Sequence, residues 1–284
     1  MGIVVAVVAQ GTMGAGVGRR LAESGAEVRT LLSGRSAASA ERAKAAGMVA
    51  MADERALVEG ADFFLSILPP GEAVALAKQM APALTALATK PVYVDCNAIS
   101  PQTAQEVAAI IAPTGADFVD GGIIGGPPRE GYSPGIYASG PAVAKTAAIR
   151  EYGIDWRVID GPVGAASGLK MSYAGITKGT TAIAAAMLLG AARFGCGEAL
   201  MAELAASQPE MLKRMRGSIP GMYDKAYRWV GEMEEISDFL EASPPSRDMY
   251  AAIARLYTDL AAAEETKAEG GDNAIRSLDK VLGR

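Results

Sequence analysis

Lys170, Tyr173, Ala174, Thr177, Lys178 and Thr181 follow one another at i, i+3, i+4, i+7, i+8 and i+11. That spacing lines up side chains on one face of a helix. A lysine in such a stripe, flanked by small and apolar residues, loses hydration if the helix packs. Desolvation lowers the pKa of an ammonium group toward the range of a general acid or base. Periodicity alone leaves two readings open, a stripe facing a cleft and a solvated lysine face. The 284 residues contain no histidine, which sharpens the question. No Ser-His-Asp or Cys-His relay can exist, imidazole-ligated metal sites are excluded, and proton transfer falls to Lys, Tyr, Asp, Glu or Cys.

A second chemical signal lies at the start of the chain. Ala9-Gln10-Gly11-Thr12-Met13-Gly14 occupies the Gly-x-Gly-x-x-Gly position between a strand and a helix, with Ala9 in place of the first glycine. There Gly11 lets backbone approach a pyrophosphate, Gly14 lets the helix pack on the strand, and the helix N-terminus offers N–H donors, with Thr12 and Met13 in the same loop. The strand-to-helix context makes this a dinucleotide site rather than a tight turn. At the end of the second strand, Leu32-Ser33-Gly34-Arg35-Ser36 carries no carboxylate for a ribose hydroxyl. Arg35 with Ser33 and Ser36 suits a 2′-phosphate, so NADP is expected ahead of NAD. The alternative is that Ser36 only caps the next helix while Arg35 is solvated.

The elements that must position these residues form two halves, with boundaries expected at residues 1–162 and 163–284. In the first, β-rich runs at 3–9, 27–32, 48–51, 62–68, 92–96, 117–121, 135–139 and 156–159 alternate with helical runs. The helices are expected to Ser24 and over 37–46, 72–84, 101–111 and 141–152. This is the pattern of an α/β, Rossmann-type, doubly wound parallel sheet. After Gly161-Pro162 the strand signal stops and an all-α half begins, entered by a proline-free helical run over 165–206. Gly168, Gly175 and Gly179 each cost that run about 1 kcal/mol relative to Ala, with close approach of a neighbour or ligand as the return. Residues 180–195 read as a buried helix, the Arg228 to Glu235 charges as a solvated face, and the tail from Glu269 as one short helix.

The composition is 50% apolar and 21% charged, with 27 Lys+Arg against 32 Asp+Glu and a formal net charge of -5. A mildly acidic chain is a poor binder of phosphate backbone, so no nucleic-acid partner is expected. Cys96 and Cys196 fit no metal or redox spacing and read as reduced thiols. The apolar start lacks a basic region and a cleavage site, and no membrane span is expected. The chain is expected to be cytoplasmic.

Five ordered segments resemble the β-hydroxyacid dehydrogenases, the family of 3-hydroxyisobutyrate and 6-phosphogluconate dehydrogenases, and within it a phosphogluconate-dehydrogenase-like branch. They are Gly11-Thr12-Met13-Gly14; Leu68-Pro69-Pro70; Asp95-Cys96-Asn97-Ala98-Ile99-Ser100-Pro101; Asp120-Gly121-Gly122-Ile123-Ile124-Gly125-Gly126; and Gly161-Pro162-Val163-Gly164 with Lys170 six residues on. The resemblance implies that Leu68, Pro69 and Asn97 border the cofactor and that Lys170 exchanges a proton with a substrate hydroxyl during hydride transfer. It implies that the Rossmann half supplies the cofactor and the helical half the lysine. It also implies a substrate that is a small β-hydroxy acid or its carbonyl counterpart.

Departures from the family are equally specific. Ile124 stands where the family has a serine that helps hold a carboxylate, leaving that task to the N–H groups of Gly125 and Gly126 or implying a less polar substrate. Tyr173 and Ala174 occupy the places of the usual asparagine, and Tyr173 either shares the proton or packs. Thr177 falls where a decarboxylation acid would, next to Lys178, so oxidative decarboxylation is not expected; both are candidate substrate contacts. Pro127-Pro128-Arg129 is a further departure. Imine reduction is one alternative, although imine reductases usually replace the lysine; a non-catalytic dinucleotide sensor is another. The apolar helices of the second half exceed what it can bury alone, and a homodimer is expected.

Overall fold

The computed structural model describes residues 2–270 and 273–284. The chain divides into two compact units, Met1–Met171 and Ser172–Arg284, so that Lys170 belongs to the first.

The first unit is built on one eight-stranded sheet. Its strands are β1 (Val4–Val8), β2 (Glu27–Leu31), β3 (Val49–Met51), β4 (Phe63–Ser66), β5 (Val92–Asp95), β6 (Phe118–Ile124), β7 (Gly135–Ser139) and β8 (Asp155–Val158), in the order β3-β2-β1-β4-β5-β6-β7-β8. Helices α1 (Thr12–Glu23), α2 (Ala37–Ala45), α3 (Glu54–Val58), α4 (Ala73–Ala86) and α5 (Pro101–Ile111) form the crossovers. Two apolar layers result. Ala15, Val17 and Leu21 of α1 and Ala43 of α2 pack with Val5, Val7 and Val28 on one face. Leu57, Leu76, Met80, Ala104 and Val107 pack with Ala6, Phe64 and Tyr93 on the other. The β-branched and aromatic residues of β4 and β5 are buried on both faces, as a sheet covered by helices requires, whereas Val49 and Val158 on the edge strands are exposed. Phe64, Tyr93 and Phe118 stack across three neighbouring strands, with ring centroids 4.8 and 5.9 Å apart.

The expectation of an all-parallel sheet needs one correction. β7 runs antiparallel to β6, with Asp120 opposite Ser139 and Ile124 opposite Gly135. Residues 125–134 contain no helix, and without a crossover the chain can only return as a hairpin. The expected helix over 141–152 is a 3-10 helix, Val143–Tyr152. The short α3 had no counterpart in the sequence reading; it is started by Asp53, whose carboxylate accepts from Ala56 N at 2.7 Å.

Helix α6 (Ala165–Arg193) is shorter than the expected run to residue 206. Gly195 takes a positive φ of 67°, and Cys196 N reaches back to Ala191 O at 3.0 Å, closing α6 in a Schellman-type stop. Helix α7 (Gly197–Ser207) then starts anew. Nor is the stretch 180–195 wholly buried: Ile183, Met187 and Phe194 are exposed. By length and composition α6 is apolar enough to cross a membrane, but 44% of its most apolar stretch is buried inside the protein.

In the second unit, Pro209 opens α8 (Pro209–Ser218) and Pro244 opens α10 (Pro244–Glu265), where the missing N–H costs nothing. Between them lies α9 (Ala226–Phe239), paired with α10 through an edge-to-face contact of Trp229 and Tyr257 at 5.3 Å. The expected close approach at the α6 glycines is made by Tyr250 of α10, whose Oη lies 3.0 Å from where a Cβ would stand on Gly175 and on Gly179. The expected terminal helix is α11 (Ala274–Leu282); Gly271 and Asp272, in the tail before it, lie outside the described residues.

The seating of α6 on the sheet depends on Gly122. A Cβ there would fall 2.9 Å from Ala166 O and 3.2 Å from Lys170 Cβ. Gly126, four residues on, has no heavy atom within 4 Å of such a Cβ. Gly122→Ala should therefore lower the stability of the first unit by about 1–3 kcal/mol in urea unfolding, the usual penalty of overpacking, whereas Gly126→Ala should be near neutral.

Candidate active site

β1 runs into α1 through Gln10 and Gly11. Gly11 caps α1 without a side chain, and no acidic residue stands in the first turn, so the helix N-terminus keeps its donors and partial positive charge unopposed. A Cβ on Gly14 would fall 1.8 Å from Ala9 O, so helix and loop meet in a way only glycine permits. Gly11 has the opposite surroundings: no heavy atom lies within 4 Å of a Cβ placed there. Open space beside an uncapped helix start fits a dinucleotide pyrophosphate held by Gly11, Thr12 and Met13.

The loop is fastened to the next strand. Gln10 is fully buried; its Nε2 donates to Thr30 Oγ1 and, at 2.9 Å, to Leu31 O. Ser33, Arg35 and Ser36 lie exposed at the turn after β2. Ser36 does cap α2, accepting from Ser39 N at 3.3 Å, which is the plainer of its two expected roles. Arg42 was missed from sequence. Its Nε donates to Gln10 O at 2.8 Å and its Nη2 to Ser39 Oγ at 2.9 Å, placing a second guanidinium beside the first loop. The signal was present: Ser36, Ser39 and Arg42 recur every three residues on α2.

Asn97 is 2% exposed, and its side chain joins the ends of β4 and β5. Nδ2 donates to Ser66 Oγ at 2.7 Å and Asp95 Oδ2 at 2.9 Å, while Oδ1 accepts from Leu68 N. This network sets the path of Leu68 and of Pro69, which leads into a 3-10 turn, Pro70–Glu72.

Strand β6 carries the group that sequence reasoning passed over. Asp120 is fully buried, and its Oδ2 accepts from Ser139 Oγ at 3.0 Å, Gly164 N at 2.9 Å, Ala166 N at 3.0 Å and Ser167 N at 3.1 Å. Its Oδ1 accepts from Ser167 Oγ at 2.6 Å. Burial raises the pKa of this carboxyl above its ordinary value, against the opposing pull of the hydrogen bonds from Ser167, Ser139 and Gly164. Two residues along the same strand face, Gly122 receives Ala166 O and the Cβ of the half-buried Lys170.

Ile124 ends β6, and Gly125 turns the chain with a φ of 131°. The N–H of Gly126, one of the two offered for a substrate carboxylate, donates instead to Tyr132 Oη at 3.2 Å. The loop after Pro127 and Pro128 folds against α1. Pro128 Cδ lies 2.9 Å from where a Cβ would stand on Gly16, and Arg20 Nη2 donates to Arg129 O at 2.8 Å. The Arg129 guanidinium stacks on Tyr132, 4.6 Å from its ring centre.

The other candidates of the stripe lie in the second unit. Tyr173 and Thr177 are exposed on α6, with Thr177 Oγ1 donating to Tyr173 O at 2.8 Å, while Ala174 and Thr181 are buried. Lys178 is ion-paired with Glu232, lies 4.9 Å from the Trp229 ring centre, and has its carbonyl bonded by Tyr257 Oη at 2.6 Å. The segment from Arg228 to Glu235 is therefore not simply a solvated face, because Glu232 turns inward to Lys178. Among the described residues no cluster could hold a metal ion.

A parallel Rossmann-type core, a glycine loop at a helix N-terminus and a helical second half define a nicotinamide-dinucleotide oxidoreductase fold. Residues 4–149 match the NAD binding domain of 6-phosphogluconate dehydrogenase, and residues 191–260 match a domain of unknown function. The chain belongs to the 6-phosphogluconate dehydrogenase-like family, the β-hydroxyacid dehydrogenases and their relatives. Among solved structures it is similar to a conserved protein with structural similarity to 3-hydroxyacid dehydrogenases, at 27% identity, TM-score 0.70, over 95% of this chain and 100% of that one. It shares the fold of the Mycobacterium tuberculosis 3-hydroxyisobutyrate dehydrogenase with L-serine, at 19% identity, TM-score 0.72, over 99% of each chain. It also shares the fold of a Myxococcus stipitatus imine reductase in complex with NADP+, at 17% identity, TM-score 0.58, over 99% and 100%.

The space at Gly11 yields a test that separates binding from folding. Gly11→Ala should leave the melting temperature unchanged, because its Cβ meets no protein atom. It should weaken binding of the nicotinamide dinucleotide, NADP(H) or NAD(H), by about tenfold or more in a fluorescence titration, because a Cβ there would fill the space in which backbone can approach a pyrophosphate.

Proposed function

We propose that this chain is an NADP-dependent oxidoreductase that moves a hydride between nicotinamide and a small β-hydroxy acid or related carbonyl compound, with Lys170 as general acid/base. The observation that carries the reading is the seating of Lys170 on Gly122, in the strand that leads to Ile124, Gly125 and Gly126. A nicotinamide dinucleotide held at Gly11, Thr12 and Met13 would supply the hydride acceptor for oxidation of the carbinol carbon and the hydride donor for the reverse reaction. The amine of Lys170 takes the hydroxyl proton as the carbonyl forms, and its ammonium returns it in the reverse direction. Asn97 keeps the loops after β4 and β5 in place around the cofactor. Tyr173 is exposed and Thr177 has no acidic function, so neither supplies the strong acid that decarboxylation needs.

Support for NADP over NAD comes from the turn after β2. Residues 32–36 carry no carboxylate, Arg35 lies exposed among them, and Arg42 of α2 reaches Gln10 O and Ser39 Oγ, two guanidinium groups of the kind suited to a 2′-phosphate. The cytoplasmic location remains part of the proposal, in keeping with free Cys96 and Cys196.

The direct test is a panel of 3-hydroxyisobutyrate, L-serine, glyoxylate and 1-pyrroline, assayed with NADP(H) and NAD(H) for the wild type, Lys170→Met and Arg42→Ala. Turnover of a hydroxy acid or aldehyde, lost by about 10²-fold or more in Lys170→Met, is expected. Arg42→Ala should weaken NADP(H) and leave NAD(H) little changed. A Lys170→Met enzyme as active as wild type would remove the central assignment. Reduction of 1-pyrroline alone would favour imine reduction, and NADP binding without any turnover would favour a sensor.

We also propose a homodimer. Tyr173, Ile176, Thr180, Ile183 and Met187 fall on α6 at the alternating three- and four-residue spacing of a coiled-coil seam, Phe194 follows seven residues on, just past the helix end, and all are exposed. Phe194 is 82% exposed, and a second copy of the same helix is a fitting cover for such a stripe. Light scattering after size exclusion should give a dimer at micromolar concentration, and Ile183→Glu with Met187→Glu should give a monomer; a monomeric wild type refutes the seam.

A further inference from the structure

We infer that Asp120 is the positioning residue of Lys170, holding the first turn of α6 at the height and rotation that place the lysine. This rests on the role proposed above for Lys170.

The observations are geometric. Asp120 and Gly122 lie two residues apart, and side chains alternate along a strand, so both belong to one face of β6. Each grips the same turn of α6. At Asp120, one carboxylate collects the N–H groups of Gly164, Ala166 and Ser167 and the Ser167 hydroxyl. At Gly122, the missing side chain admits Ala166 O and Lys170 Cβ. Ala166 and Ser167 are four and three residues before Lys170, directly beneath it on the helix. A helix pinned by its amide groups at one point and by steric contact at another can neither slide nor roll without breaking one of them.

Chemistry makes the carboxylate hard to replace. Oδ2 alone accepts from four donors, three of them backbone N–H groups. Its charge is met by the N-terminal end of α6, through the amide groups of Gly164, Ala166 and Ser167. An amide in its place would put an N–H against N–H groups wherever its nitrogen replaced Oδ2. A displacement of α6 by about 1 Å is enough to cost on the order of 10²-fold in rate.

The experiment is a double-mutant cycle on the panel compound that the wild type turns over, with dinucleotide binding measured alongside. Asp120→Asn should lower kcat by about 10²-fold, with KM and NADP(H) affinity within about threefold of wild type. Asp120→Asn with Lys170→Met should be no slower than Lys170→Met alone, because a lysine that is absent cannot be misplaced. A purely structural loss would reduce the active fraction and multiply with the Lys170→Met defect. Multiplying defects, or a kcat for Asp120→Asn within threefold of wild type, would overturn the inference. Ser167→Ala removes only the hydroxyl donor to Oδ1 and serves if Asp120→Asn does not fold; its smaller loss should likewise vanish in the Lys170→Met background. Lys170→Met at wild-type rate, or a wild type inert on the whole panel, would defeat the proposed function and this inference with it. A slow Lys170→Met beside a fast Asp120→Asn would defeat only this inference.

Discussion

A buried carboxylate at the start of a helix is the interaction on which the site of the first unit depends. Removing Asp120 from water is costly, and that cost is visible in the upward shift of its pKa. It is offset by five short hydrogen bonds and by the positive end of α6. Two of the donor residues come from places far apart in the chain, Ser139 on β7 and Ser167 on α6. The carboxylate thus joins β6, its antiparallel neighbour β7 and the first turn of α6 at one point. The antiparallel return of β7 then acquires a purpose: its register puts Ser139 directly opposite Asp120.

Much of this framework was legible in the sequence. Continuous β-branched runs separated by amphipathic stretches gave away a Rossmann-type sheet, because strands buried on both faces must be apolar throughout. Gly11 and Gly14 announced their loop because no other residue allows backbone to come so near a helix or a phosphate. Lys170 stood out because the chain offers no histidine. What remained hidden depends on pairs distant in sequence. Asp120 was read as part of a substrate loop, since nothing local shows that residues more than forty positions later would surround it with donors. Arg42 meets Gln10 only once the fold has brought α2 to the loop after β1. The expected strand over 117–121 includes Gly121 but stops short of Gly122, which also belongs to β6. There Gly121 leaves room for Asp95 O and Cys96 Sγ, and Gly122 for α6.

The helical unit was less legible for a different reason. An Ala-rich helix has weak periodicity, so neither its end nor its buried face could be read reliably. Gly195 ends α6 through a left-handed residue, but a glycine within an apolar run is equally compatible with continuation. The glycines at 175 and 179 were correctly read as points of close approach, but the partner, Tyr250, could not be named. The ion pair of Lys178 with Glu232 joins two helices whose order of packing no spacing rule supplies.

That ion pair separates the two lysines of the original stripe. Lys178 has its charge met by Glu232 and its ammonium set over the Trp229 ring, with the pair largely shielded from water. Such an arrangement orders α6 against α9, and breaking it would leave a charge poorly solvated. Lys170 is seated differently: its Cβ packs on Gly122 of the strand that ends at Ile124, and the turn before it, from Gly164 to Ser167, is held by the Asp120 carboxylate. Equal spacing on a helix therefore does not imply equal work. One lysine is fixed by its head, which suits packing. The other is set at its root, where Gly122 and the turn held by Asp120 fix its Cβ, the placement that the proton transfer proposed for it requires.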